Sequence, residues 1–202
     1  MYNRRMDTPI TVLFFGMQGA GKGTQVTMLI DCLKAHTNRG LIHIDMGQEL
    51  RELRANGSYV SKLIGEYLEA GKRVPDFLPI YLQTRDLIER LTGIEHIIGD
   101  GIARGPQQTD AFDTAMTFLK RDNFCIINLV ISDEVAIQRM IARGRSDDTE
   151  EAIRRRIEWT KTDVFPQLEL FKSRNRPVYT IDGEPDPETV HKNILSMLGL
   201  SQ

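Results

Sequence analysis

The sequence predicts an α/β protein: a five-stranded parallel sheet flanked by helices, with a small helical insertion. Three observations predict it. Short apolar runs at 10–15, 41–44, 94–98, 124–131 and 177–181 read as strands, and the first has almost no polar alternation, as a strand buried on both faces requires. Helical patterns separate these runs, which is βαβ order and calls for right-handed crossovers. The first run also passes through a glycine-rich stretch straight into a helix, Gly16-Met17-Gln18-Gly19-Ala20-Gly21-Lys22-Gly23-Thr24.

At 202 residues with 41% hydrophobic and 27% charged side chains, the chain suits one domain, here 10–202, after a short leader 1–9. A net charge of −2 argues against a long nucleic-acid footprint, so any anion site must be built by clustering Arg and Lys. Cys32 and Cys125 are too few for a disulfide framework or a structural zinc site and read as inert core thiols. No signal peptide or membrane span is legible, and a cytoplasmic protein is expected.

The glycine stretch can turn its N–H groups around a phosphate, and Lys22 adds a charge at the start of the helix that follows, the arrangement of a P-loop NTPase fold. Gly23 stands where Ser or Thr usually holds magnesium, and the hydroxyl comes one residue later, at Thr24. The first helix spans 22–35, with Val26, Leu29, Ile30 and Leu33 on one stripe. After the second strand, 45–74 reads as two helices, 48–55 and 60–70, with little core of their own and therefore a mobile flap.

Asp76 is placed to cap a helix over 77–91. The third strand ends in Gly99-Asp100-Gly101, and an aspartate there, beside a phosphate loop, suits magnesium held through water. A helix to about 121 follows, then the fourth strand and a helix carrying Arg139 and Arg143 one turn apart, a repulsion that an anion between them relieves. Asp148 and Glu151 fit a capping box for a long helix with Ile153, Ile157, Phe165, Leu168 and Phe171 inside and a kink at Pro166. Trp159 and the four histidines read as packing or surface residues, and 188–198 is the closing helix.

By these motifs the chain resembles the nucleoside monophosphate kinases, and most of all the adenylate kinases, over 10–198. GMQGAGKGTQ (16–25) is similar to the family's loop, in which Gly-Lys-Gly-Thr is the usual form, so Thr24 is the expected hydroxyl. HIDMGQELR (43–51) and GKRVPD (71–76) resemble the start and end of its monophosphate-binding flap. IIGDGIARGPQQTDA (97–111) resembles the segment that carries a magnesium aspartate, a phosphate-binding arginine and a base-reading glutamine, here Asp100, Arg104 and Gln108. Arg139, Arg143, Arg145 with Asp147-Asp148, and Arg156 match the set around the transferring group; with Arg51 and Arg104, all six family arginine positions are filled.

The resemblance implies reversible transfer of the ATP γ-phosphoryl group to AMP, giving two ADP, with Mg2+ accompanying ATP. It implies Lys22, Arg104, Arg139, Arg143, Arg145 and Arg156 as catalytic. It assigns Gly19, Ala20, Gly21, Lys22, Gly23, Thr24, Arg139 and Arg143 to ATP, and Asp100 and Thr24 to the metal. Met46, Arg51, Lys72, Val74, Gly101, Arg104, Gln108, Arg145 and Arg156 fall to the monophosphate. Partners would be these nucleotides, without nucleic acid or membrane, for a monomer or homo-oligomer.

Three departures shape the expectations. Ile102-Ala103 replaces the family's Phe-Pro (or Tyr-Pro) before Arg104, which predicts a looser presentation of that arginine. Met46 replaces a threonine that touches adenine, which keeps a UMP or CMP kinase open. The lid shrinks to a vestige at 144–148, predicting poor closure over ATP and some hydrolysis without acceptor unless a neighbouring subunit covers the site. An ATP-binding regulatory or assembly protein is the alternative of a different class.

Overall fold

The computed structural model describes residues 8–145 and 147–200; leader residues 1–7 and Ser146 of the vestigial lid lie outside the described residues. Five strands, β1 (Thr11–Gly16), β2 (Leu41–Asp45), β3 (His96–Asp100), β4 (Phe124–Val130) and β5 (Val178–Asp182), form one sheet in the order β2-β3-β1-β4-β5. Every pairing is parallel, with Thr11 level with Ile97 on one side and Phe124 on the other. β1 lies at the centre, and all six of its residues are buried. Because side chains alternate across a strand, Val12 and Phe14 enter one apolar layer while Leu13 and Phe15 enter the other.

The first layer is covered by α1 (Lys22–His36), α6 (Asp133–Arg143), α7 (Glu150–Trp159) and α9 (Pro187–Leu198), through Leu29, Met140, Ile153 and Ile194 among others. The second packs α4 (Phe77–Arg90), α5 (Pro106–Phe118) and α8 (Phe165–Ser173) through Leu82, Phe112 and Phe171. There Phe15, Phe124 and Phe112 meet neighbouring rings edge to face at centroid distances of 5.5–5.9 Å. The helical pair α2 (Met46–Ala55) and α3 (Tyr59–Glu69) stands between β2 and α4.

Three sequence expectations are corrected. Asp76 does not cap α4: Leu78 N–H is already bonded to Pro75 O (3.1 Å) and the next residue, Pro79, has no N–H, so the carboxylate has no donor to cap. Asp148 is not the cap of α7; Thr149 is, its Oγ1 accepting from Ala152 N–H at 3.3 Å, because Asp148 is taken by arginines. The long helix does not simply kink at Pro166. It passes through a π turn, Thr160–Val164, in which Phe165 N–H reaches back five residues to Thr160 O before the proline, lacking an N–H, opens α8.

His96 is one of the four histidines, and its surroundings set a pH dependence. Nδ1 accepts from Ile10 N–H at 3.1 Å and Nε2 lies 3.2 Å from Thr37 Oγ1, which leaves no room for a second proton. Burial, aided by Arg39 and Arg121, holds its pKa down to about 4 from 6.5. The neutral ring therefore contributes full stability above pH 6.5, and that contribution is lost as pH falls toward 4, on the order of 2 kcal/mol by pH 5. Urea denaturation of the wild type should show this decline between pH 6.5 and 5. His96→Asn should show a flatter profile over the same interval, and an unchanged slope would remove His96 as its cause.

Candidate active site

A cleft of about 710 Å³ opens at the carboxyl ends of the strands, where ligands of open α/β sheets bind. One wall is the glycine loop: Gly16, Gly19 and Gly21 all hold positive φ, a backbone that L side chains rarely adopt, and the loop leads into α1 at Lys22. Lys22 is 7% exposed, and its Nζ donates to Gly16 O (3.0 Å) and Met17 O (2.9 Å), folding the ammonium back over its own loop. Burial holds its pKa down to about 8 against the opposing pull of Asp100, and Arg104 and Arg143 push the same way as burial. Asp100, at the end of β3, is raised by burial while Lys22 and Arg104 draw it back.

The facing wall comes from the loop after β3 and the end of the helical pair. Gly101 has φ +75°, and a Cβ there would lie 2.7 Å from Arg104 Nη2, so the guanidinium rests directly over the glycine. Arg104 also lies 5.8 Å from the ring centroid of Trp159, whose Nε1 donates to Gly71 O at 2.9 Å. Ile102 and Ala103 do not slacken this loop. Both are buried, Thr109 Oγ1 donates to Ala103 O (3.1 Å), and Arg104 N–H donates to Gln108 Oε1 (3.0 Å). Ala103 sits at φ +53°, a strain of about 1–2 kcal/mol that these bonds hold in place.

Between the walls lies the arginine set. Arg143 gives Nε and Nη2 to Asp148 at 2.6 and 3.0 Å, and Arg156 Nη1 reaches the same carboxylate at 2.6 Å. Arg156 also holds Asp147 (2.5 Å) and Leu68 O (3.0 Å). Burial alone would raise the Asp148 carboxyl; the two guanidiniums overcome it and hold it below the usual range. Arg139 takes Gly183 O (2.8 Å) and Glu184 O (3.0 Å) in the turn after β5. Arg145 is lowered by burial and by the neighbouring Arg143 and Arg51. The connection from α6 to α7 is the short 144–149, with no helix or strand among its described residues.

The nucleotide- and metal-binding candidates from the sequence all lie on this one cleft: the loop 19–24, Met46, Arg51, Lys72, Val74, Asp100, Gly101, Arg104, Gln108, Arg139, Arg143, Arg145 and Arg156; Asp148 stands behind it, against Arg143 and Arg156. Among the described residues its lining carries nine Lys and Arg against three carboxylates, in a chain of net charge −2, so the cleft concentrates positive potential for a polyanion. Sequence reasoning missed Gln18, Gln25, Asp45, Arg73 and Trp159, and the wall formed by Gly183, Pro185, Pro187 and Val190. Arg73 stood unremarked inside GKRVPD beside Lys72. The Gly183–Val190 wall had no local signal, because only the placement of β5 beside β4 brings that turn to the loop.

A phosphate loop on a parallel sheet, faced across a cleft by a cluster of arginines, defines an ATP-dependent phosphotransferase of the nucleoside monophosphate kinase class. The family model for adenylate kinase matches residues 14–176. Adenylate kinase 1 of Nostoc sp. is 31% identical over 192 residues, covering 93% of this chain and 98% of the relative. The adenylate kinase of Deinococcus radiodurans is 32% identical over 92% of this chain and 94% of its own length, and that of Thermus thermophilus 30% identical over 96% and 100%. The chain belongs to the adenylate kinase family. No helix among the described residues is long and apolar enough to cross a membrane.

Proposed function

We propose that the chain transfers the γ-phosphoryl group of ATP to AMP, reversibly, giving two ADP. The observation that carries this reading is that the phosphate loop, Gln108 and the arginines Arg51, Arg104, Arg139, Arg143, Arg145 and Arg156 all line one cleft. The loop amides of Gly19, Ala20, Gly21, Gly23 and Thr24, with Lys22, hold the ATP phosphates, and Arg139 and Arg143 flank them. Arg51 and Arg104 hold the AMP phosphate, while Met46, Lys72, Val74, Gly101 and Gln108 enclose its nucleoside. Arg145 and Arg156 complete the cluster around the group in flight.

Phosphoryl transfer asks the protein for positioning and for stabilisation of spread-out charge, which planar, permanently charged guanidiniums supply. The attacking phosphate oxygen is already ionised, so no general base is needed. The helical pair within 45–74 serves as the acceptor flap and 144–148 as a vestigial lid.

Asp100 and Thr24 fit a magnesium ion that comes with the nucleotide. Asp100 is a half-buried carboxylate at the carboxyl end of β3, and Lys22 of the loop is the cation that draws on it most strongly. Held there by Asp100 through water and by Thr24, magnesium would supply positive charge against that of the nucleotide phosphates.

The test is ADP formation from ATP with AMP, GMP, CMP or UMP. AMP is expected to give the highest kcat/KM and two ADP per ATP consumed. A preference for CMP or UMP would move the assignment to a pyrimidine acceptor, and turnover indifferent to every monophosphate would reject it.

A further inference from the structure

We propose that Arg73 is a positioning residue for acceptor selectivity: clamped between Asp76 and Asp163, it fixes the carboxylate that fixes the direction of the Gln108 amide. This rests on the reading of Gln108 as the residue facing the acceptor base. The amide of Gln108 is 2% exposed and has two neighbours of opposite character. Its Oε1 accepts from Arg104 N–H at 3.0 Å, a group that can only donate. Its Nε2 donates to Asp76 Oδ1 at 2.7 Å, and an ionised carboxylate can only accept. Only one orientation of the amide satisfies both.

Asp76 holds that position because of Arg73. At the start of α4 it has no helix N–H to cap, so nothing else in its own helix orients the carboxylate. Arg73 Nη2 donates to the same Oδ1 at 2.9 Å, while Nη1 donates to Asp163 Oδ2 at 2.9 Å on the π turn. The fork is pressed onto the loop as well: a Cβ at Gly105 would collide with Nη2, so the guanidinium lies against the backbone that follows Arg104. A single flat cation thus joins the end of the helical pair, the π turn and the acceptor loop.

The consequence is chemical. With one hydrogen of Nε2 and one lone pair of Oε1 committed, Gln108 retains one donor and one acceptor in a fixed order. That order suits one pattern of base edge, an amino group beside a ring-nitrogen acceptor as in adenine, and opposes the reversed pattern of an oxo group beside a ring N–H as in guanine. The two purines are nearly equal in size, so amide direction rather than pocket volume separates them.

Steady-state kinetics with AMP and GMP as acceptors test this in the wild type and in Arg73→Met, Arg73→Lys and Asp163→Asn. Arg73→Met is expected to lower the AMP-to-GMP ratio of kcat/KM roughly tenfold, chiefly through a higher KM for AMP, with KM for ATP unchanged. Asp163→Asn and Arg73→Lys, which each loosen the clamp, should move the ratio the same way by less, and they carry the test if Arg73→Met does not fold. Adding Arg73→Met to Gln108→Ala should change the ratio no further. An unchanged ratio in the variants, or a loss confined to melting temperature and kcat with both KM values intact, overturns the proposal. A wild type that phosphorylates neither nucleotide overturns instead the acceptor reading on which it rests.

Discussion

Lys22→Ala is expected to lower AMP-dependent ADP formation about a thousandfold, roughly 4 kcal/mol of transition-state stabilisation, without lowering the stability of the fold. The two halves of this expectation have one origin. The ammonium is almost wholly buried, donates to two backbone carbonyls among the described residues, and is held down to about pKa 8 because burial outweighs the attraction of Asp100. Its charge is therefore poorly supported by the protein's own groups and is strongly available to a polyphosphate. Removing it should raise the unfolding free energy by about 1 kcal/mol or leave it unchanged, the signature of a side chain kept for chemistry at the expense of stability. Kinetics beside urea denaturation would show this. A variant with an intact AMP-dependent rate would displace Lys22 from the phosphate site.

Asp148→Ala should do the opposite and damage fold and rate together. Its carboxylate is 1% exposed, and three guanidinium nitrogens of Arg143 and Arg156 lie 2.6–3.0 Å from it. Removing one partner of such a group strands the others: Arg156, whose side chain is 8% exposed, keeps Asp147 and Leu68 O, whereas Arg143, 29% exposed, loses its only carboxylate among the pairs described. Allowing for that partial exposure, the cost is about 3 kcal/mol. Because both arginines face the cleft, kcat is expected to fall about a hundredfold as well. Asp148→Asn, which keeps an acceptor oxygen, should recover most of the stability and only part of the rate. Full activity in Asp148→Ala would show that the arginines need no anchoring.

The sheet was legible because each strand announces itself locally. The uninterrupted run from Ile10 to Phe15 and the glycine loop after it define a buried central strand, and the order of elements leaves few topologies. The arginines are legible through spacing and through motifs, which is why residues as distant as Arg51 and Arg156 fall into one group on sequence alone. What escaped was decided by neighbours outside the local sequence. Asp76 looks like a helix cap until Pro79 and the Pro75 carbonyl remove its donors. Asp148 looks like another until two arginines claim it. Trp159 has the pattern of a core residue, yet its ring lines the cleft beside Arg104, and its Nε1 donates to Gly71 O, 88 residues away. Arg73 resembles any flap cation until Asp163, 90 residues away, arrives as its second partner.

Under the proposed reading, the chain between α6 and α7 serves as a vestigial lid, and a reduced lid excludes water from a bound nucleotide less completely. Following the label of γ-32P ATP tests the central claim, that both nucleotides share one cleft and the phosphoryl group passes directly between them. With AMP present the label is expected to emerge in ADP, with only a slow release of inorganic phosphate when AMP is omitted. Label that appears as inorganic phosphate at the same rate with and without AMP, and never in ADP, would contradict the account.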